Sequence, residues 1–277
     1  MPELPEVETV MRGLERAITG KSIKHVQINR YDLRVPVPQD FGQRLTGLSV
    51  DGFTRRGKYI AITLQGGATH IIVHLGMSGR IRIFDDAAGY EPQKHDHIIM
   101  HMDDGGCFAY EDPRRFGMVY LAADTHWEHE KPFSKMGPEP LGKWSGADLY
   151  EKISAKKANI KAALLDQRVV AGLGNIYVCE ALYDAGIHPE RLAATLSLNE
   201  ANRLVEASKA VLRKAIKAGG STLKDYQHTD GSLGYFQHQF TVYDQEGQPC
   251  KNAQCNGTIK RIVQSGRSTF FCPVCQK

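Results

Sequence analysis

Residues 1–20 read MPELPEVETVMRGLERAITG. Val7, Val10, Met11, Leu14 and Ile18 recur at helical spacing, Pro5 suits the first helical position and Gly20 closes the run, so an amphipathic helix is expected to lead the chain. What precedes the helix carries chemistry. Once Met1 is removed, Pro2 is a terminal secondary amine with the carboxylates of Glu3 and Glu6 close behind it. A terminal amine with a pKa near 8 is free base about a tenth of the time at neutral pH, against well under about a thousandth for a lysine. A secondary amine can attack a sugar C1′ and form an iminium, and the positive end of the adjoining helix favours its unprotonated form. An ordinary terminus with acidic residues in a first helical turn has the same composition. The rest of the chain decides between these readings.

With 277 residues, 42% of them hydrophobic and 24% charged, the chain can build two domains with sizeable cores. No apolar run reaches the length of a membrane span, and the N-terminus lacks the basic and apolar regions of a signal peptide, so a cytoplasmic location without membrane attachment is expected. Net charge is −2 over residues 1–150 and +6 over residues 151–277. The C-terminal half is therefore the one suited to a polyanion.

From residue 22 to 122 the pattern is one of short, partly alternating runs between Gly, Asp and Pro turns: 22–28, 59–64, 70–75, 80–84, 97–102 and 118–121. That is the pattern of a β-sandwich or barrel. A Pro- and Gly-rich stretch, 131–144, reads as a linker. Beyond about Asp148 the period becomes helical, with Asn159-Ile-Lys-Ala-Ala-Leu-Leu-Asp and a later helix opened by a Ser197/Glu200 capping box and closed at Gly219-Gly220. Between them, Gly172-Leu-Gly-Asn-Ile-Tyr permits a tight turn that aims the N–H groups of a new helix at an anion such as a phosphate. A helix rather than a strand precedes it, which disfavours a dinucleotide fingerprint.

Cys250, Cys255, Cys272 and Cys275 lie in the last 28 residues. Cys-x4-Cys followed at a distance by Cys-x2-Cys, with 258–263 and 268–271 reading as a β-hairpin between, fits one tetrahedral four-thiolate zinc. With no open coordination position, that zinc would be structural. Cys107 and Cys179 read as buried small hydrophobes. His95, His97 and His101 alternate but have no carboxylate or thiol cluster to complete a metal site.

Taken in order, these residues resemble the bacterial formamidopyrimidine-DNA glycosylases over essentially the whole chain. The matching motifs are Pro2-Glu-Leu-Pro-Glu-Val-Glu-Thr, Arg55-Arg-Gly-Lys-Tyr, His74-Leu-Gly-Met-Ser-Gly, Lys94-His-Asp-His, Asp112-Pro-Arg-Arg-Phe-Gly, Gly172-Leu-Gly-Asn-Ile-Tyr, Gly220-Ser-Thr-Leu-Lys-Asp-Tyr and the terminal cysteines. Endonuclease VIII, the sister family, usually begins Pro-Glu-Gly-Pro, where this chain has Leu4. The Cys-x4-Cys pair departs from the family's common Cys-x2-Cys and lengthens that knuckle.

The resemblance implies a multidomain α and β protein. Its parts would be an N-terminal catalytic β-sandwich with a leading helix (2–132), a linker (133–147), a helical helix-two-turn-helix DNA-binding domain with a lesion-recognition loop (148–240) and a zinc-binding β-hairpin (241–277). It further implies a bifunctional glycosylase and abasic-site lyase of base excision repair, a monomer acting on double-stranded DNA that holds 8-oxoguanine, formamidopyrimidines or abasic sites. Pro2 would be the nucleophile, Glu3 the general acid, Glu6 a carboxylate managing protons near Pro2, Lys58 the β-elimination lysine and Arg267 the δ-elimination arginine. His74, His95, Arg114, Lys156, Asn175 and Arg267 would contact DNA around the lesion. Met77, Arg115 and Phe116 would fill the void left by an extruded base, a thioether and a ring replacing stacking while a guanidinium reads the orphaned partner. The segment from Gly219 to Phe236, which joins the helix ending at Gly219-Gly220 to an expected Phe240-Thr-Val-Tyr strand, is expected to be a mobile recognition loop that orders over the flipped base. Two other readings remain, a proline-based tautomerase, typically a much shorter chain, and a zinc-bearing DNA binder without catalysis.

Overall fold

The computed structural model describes residues 2–122, 125–221, 229 and 234–277. The leading helix, α1, spans Leu4–Ile18 with Glu3 as its N-cap. Leu4 takes the first helical position, so Pro5 stands at the second rather than the first. Its missing N–H is equally harmless there, because the first four N–H groups of a helix have no partner within it. The apolar stripe anticipated from the spacing is buried, with Val7, Val10, Leu14 and Ile18 at most 3% exposed. Each such side chain contributes about 1.5–3 kcal/mol of burial.

The helix packs against the first of two antiparallel four-stranded sheets. The strands are β1 (Ile23–Ile28), β2 (Val50–Arg56), β3 (Tyr59–Leu64), β4 (Thr69–His74), β5 (Arg80–Phe84), β6 (Asp96–Met102), β7 (Cys107–Glu111) and β8 (Met118–Leu121), with a one-turn helix α2 (Phe41–Leu45) between β1 and β2. One sheet runs β2-β3-β4-β8 and the other β1-β6-β7-β5. Two separate sheets decide for a sandwich over a barrel. Their shared core joins Ile60, Ile62 and Val73 to Ile98, Met100 and Phe108. The strands β2 and β7 escape the sequence pattern: β2 is a largely polar run, VDGFTRR, and β7 is buried at every position. On the other face of β6 and β7, Ile99, Cys107 and Ala109 form a smaller cluster under Phe84 and Tyr90.

The helical part comprises α3 (Gly146–Ile153), α4 (Ile160–Leu165), α5 (Asn175–Asp184) and α6 (Leu198–Lys217), followed by the hairpin β9 (Lys260–Gln264) and β10 (Arg267–Phe271). Asn159 caps α4 by accepting the Ala162 N–H, and the Ser197/Glu200 capping box forms as anticipated. One expected strand, Phe240-Thr-Val-Tyr, is absent. The carboxylate of Glu180, 2% exposed on α5, accepts the N–H groups of Thr241, Val242 and Tyr243 at 2.8–2.9 Å. A strand ladder would need those donors, and a buried carboxylate must be satisfied.

The chain divides into two compact units: residues up to Ser134 with Ala218–Tyr235, and Lys135–Lys217 with Phe236–Lys277. The helices α3 to α6 and the cysteine-bearing hairpin thus share one unit. The expected recognition loop, Gly219 to Phe236, falls largely on residues outside the described set. Among the described residues, no helix is long and apolar enough to cross a membrane.

Candidate active site and zinc centre

Pro2 is buried at the start of α1, and Glu3 and Glu6 are each 2% exposed. The two glutamates close a capping box, with the Glu3 N–H donating to Glu6 Oε2 at 2.9 Å. Carboxylates are favoured at this end of a helix by its dipole and its unpaired N–H groups. The second Glu6 oxygen accepts both the N–H (2.8 Å) and the hydroxyl (3.0 Å) of Ser221. Gly220 allows this approach: its φ is +78°, and a Cβ there would stand 2.9 Å from Glu6 Oε1 and 3.1 Å from its Cγ. No local sequence signal marks this contact, because Glu6 and Ser221 stand 215 positions apart.

Lys58 occupies the β2–β3 turn, where Arg56 pairs with Tyr59 and Gly57 has φ +58°. Next to it on β4, His74 Nδ1 accepts the Gly76 N–H at 3.0 Å, which leaves Nε2 carrying the hydrogen. Burial, then the charges of Lys58 and Arg34, push His74 down to about 4 against a weaker opposing pull from Asp112. The imidazole is neutral at physiological pH and can offer a donor without charge.

Two turns carry the expected void-filling residues, and their backbones touch. Gly76, φ +61°, has no room for a Cβ, which would lie 2.4 Å from the Phe116 carbonyl carbon and the Gly117 nitrogen. Met77 is therefore held beside Phe116. The fully buried Asp112 organises both turns: it accepts from Ser78 Oγ (2.6 Å), from the Gly117 N–H (2.8 Å) and from the Arg114 N–H (3.3 Å). Its own carbonyl accepts the Arg115 N–H (3.2 Å). Phe116 is 43% exposed under the Arg114 guanidinium, 4.8 Å from the ring centre. Arg115 has φ +55° and its guanidinium meets Asp32 at 2.9 Å. His95 and Arg115 line a cleft of about 300 Å³ with Arg30 and Lys94. By sequence alone, an Asp before Pro has the signature of a turn residue, and Ser78, the partner through which Asp112 organises the second turn, is distant along the chain.

In the second unit, Lys156 pairs with Asp166 (3.2 Å), which Arg168 also holds. Asn175 opens α5 and donates from Nδ2 to the Ser268 carbonyl (2.9 Å), while its Oδ1 is buried and has no hydrogen-bond partner among the described residues. Arg267 begins β10 and is exposed, lining a cavity of about 300 Å³ with Lys161, Asp166 and Gln264. Lys161 has no local sequence signal, since its partners lie more than a hundred positions away. It is 1% exposed, and its ammonium donates to Thr269 Oγ1 (2.6 Å) and the Ser268 carbonyl (3.2 Å), tying the hairpin to α4. Gln167 staples the glycine turn by accepting the Gly172 N–H (2.7 Å) and donating to the Leu173 carbonyl (3.0 Å).

Among the described residues, the group of three or more ligating side chains able to share a metal is Cys250, Cys255, Cys272 and Cys275, with all four sulfurs within 4.8 Å of one another. The Cys250–Cys275 and Cys255–Cys272 separations are each 3.7 Å. Four thiolates at about 2.3 Å from a zinc have tetrahedral edges of about 3.8 Å, so the set fits one zinc ion. The two additional residues of the first knuckle are absorbed at Asn252, whose side chain accepts the Gln254 N–H and whose carbonyl accepts the Cys255 N–H. Tyr183 Oη lies 3.2 Å from Cys250 Sγ and the Gly257 N–H 3.3 Å from Cys255 Sγ, contacts suited to anionic sulfur.

Residues 1–119, 136–227 and 247–277 match, respectively, the families described as formamidopyrimidine-DNA glycosylase N-terminal domain, formamidopyrimidine-DNA glycosylase H2TH domain, and zinc finger found in FPG and IleRS. Formamidopyrimidine-DNA glycosylases of Ruegeria pomeroyi and Cereibacter sphaeroides are 49% and 50% identical to this chain, with both chains covered completely. Similar crystal structures, at 36% identity and full coverage of both chains, include Lactococcus lactis Fpg with an abasic site containing DNA (TM-score 0.88) and a mutant of the same enzyme with a Fapy-dG containing DNA (TM-score 0.89). A MutM complex with carbocyclic 8-oxo-G containing DNA is as close, with a TM-score of 0.88.

Proposed function

The chain belongs to the formamidopyrimidine-DNA glycosylase family and is a DNA glycosylase of base excision repair, and from that premise we propose that Pro2 is the nucleophile of a combined glycosylase and abasic-site lyase. The observation that carries the reading is the buried Pro2-Glu3-x-x-Glu6 start of α1, with both carboxylates desolvated. After removal of Met1, the Pro2 nitrogen attacks C1′ of an extruded oxidised purine nucleotide. Glu3 supplies the proton that opens the sugar ring, and the base departs. The resulting iminium acidifies the C2′ protons, so loss of one expels the 3′ phosphate, and a further elimination expels the 5′ phosphate. Lys58 serves the first elimination and Arg267 the second.

Contacts to DNA fall to His74, His95, Arg114, Lys156, Asn175 and Arg267, with Met77, Arg115 and Phe116 filling the vacated space. The neutral Nε2–H of His74 suits a phosphate oxygen. Zinc, held by the four cysteines, supplies no reacting group; the ligands keep the hairpin bearing Arg267 folded. We place the protein in the cytoplasm as a monomer.

Borohydride trapping on an 8-oxoguanine duplex tests the reading directly. A covalent adduct that requires Pro2 with a free amine is expected. Base release without an adduct would remove the iminium, and neither release nor adduct would leave a binding protein.

A further inference from the structure

We propose that Glu8 and Arg55 are positioning residues that fix Lys58 relative to the N-terminal amine; this rests on the elimination role given to Lys58 above. Glu8 lies on α1, the helix whose first turn follows Pro2 directly. Arg55 lies on β2, three residues before Lys58. The Arg55 Nε donates to Glu8 Oε2 at 2.6 Å, and its Nη1 donates to the Gly57 carbonyl at 3.1 Å. That carbonyl belongs to the Gly57–Lys58 peptide bond. The guanidinium therefore holds, on one planar fork, a carboxylate of the nucleophile's helix and the peptide plane from which Lys58 projects.

The pair is dry where it matters. The Arg55 and Glu8 side chains are 9% and 12% exposed, whereas Arg12, which meets the other Glu8 oxygen at 2.9 Å, is 54% exposed. A buried charge-assisted contact resists competition from water, while an exposed pair contributes little. Geometry explains why such a brace is useful. The turn has only two residues, and Gly57 at φ +58° is the kind of position at which a hairpin can rock. Lysine has four rotatable bonds, so a small tilt of its peptide plane displaces the ammonium by far more. Proton transfer demands closer placement than simple charge complementarity does. A plain structural ion pair between α1 and β2 would need no contact with the turn carbonyl.

The test uses full-length, zinc-loaded protein and a duplex holding a preformed abasic site. Glu8→Ala is expected to slow strand cleavage about ten- to hundredfold while borohydride trapping stays within about twofold, because trapping needs the Pro2 amine and not the Lys58 ammonium. Glu8→Gln, which keeps an oxygen acceptor for Arg55, should fall between Glu8→Ala and the parent protein. Arg55→Lys retains the cation and hence the fold, but one ammonium lacks the fork that spans carboxylate and carbonyl. It should also lose cleavage while keeping trapping. Cleavage and trapping falling together, or cleavage unchanged in Arg55→Lys, overturns the proposal. Lys58→Ala separates the two levels: if it cleaves at the parent rate, the role of Lys58 falls and the brace with it. If Lys58→Ala is impaired and the Glu8 and Arg55 variants are not, only the brace falls.

Discussion

Glu6 and Ser221 meet across 215 positions of sequence, with one carboxylate oxygen accepting both the N–H and the hydroxyl of the serine. The other oxygen of the same carboxylate accepts the Glu3 N–H. Glu6 therefore has little rotational freedom, and Ser221 is attached to the N-terminal end of α1. Burial makes the arrangement exacting, because a carboxylate deprived of these donors would stay desolvated without compensation.

Gly220→Ala is accordingly expected to reduce 8-oxoguanine excision by at least about tenfold, since a Cβ at positive φ costs about 1–2 kcal/mol and also collides with Glu6. Ser221→Ala, which keeps the N–H bond, should be milder. Single-turnover excision measured beside thermal melting checks this. Parent rates in Gly220→Ala would show that the contact with Glu6 is dispensable.

Glu3→Gln should lower base excision by about a hundredfold or more, the range of general acid catalysis, and affect cleavage of preformed abasic sites far less. An abasic sugar has no base left to expel. Equal losses on the two substrates would contradict the assignment of Glu3 as the acid.

Acid should destabilise the fold partly through His74. Its folded pKa of about 4 lies below the ordinary 6.5, so the unfolded chain takes up the proton first as pH falls. Stability is therefore retained above pH 6.5, lost between 6.5 and about 4, and no longer changes from this source once the folded imidazole also protonates. The full difference is about 3 kcal/mol at most. Denaturant melts at pH 7, 5.5 and 4 should show a shallower decline in His74→Gln than in the parent protein, and parallel declines would refute the assignment.

Metal analysis should find about one zinc per chain, as four thiolates require. Cys272→Ser or chelation should weaken duplex binding by disordering the hairpin that carries Arg267. Full activity in metal-free protein would defeat a structural role for zinc.

Met77→Ala and Phe116→Ala should impair excision from duplex lesions by about tenfold or more, in keeping with an unstacking energy of a few kcal/mol, and spare an abasic site that is already unstacked. Uniform losses on both substrates would indicate general destabilisation instead.

Local chemistry alone determined much of this protein. The spacing of Val7, Val10, Leu14 and Ile18 gave α1, the Ser197/Glu200 box gave the start of α6, and the spacing of Cys250, Cys255, Cys272 and Cys275 announced a zinc site, because each signal lies within a few residues or in side chains of unmistakable affinity. The strand β7 was hidden because burial on both faces erases alternation, and β2 because it is largely polar. Only tertiary structure could turn Phe240–Tyr243 away from a strand, since the competing acceptor, Glu180, sits some sixty positions earlier. The same holds for Asp112 organising two turns, Lys161 anchoring the hairpin and Ser221 binding Glu6. A buried polar group takes whichever partner the fold brings within about 3 Å, and that choice has no periodicity for a sequence to display.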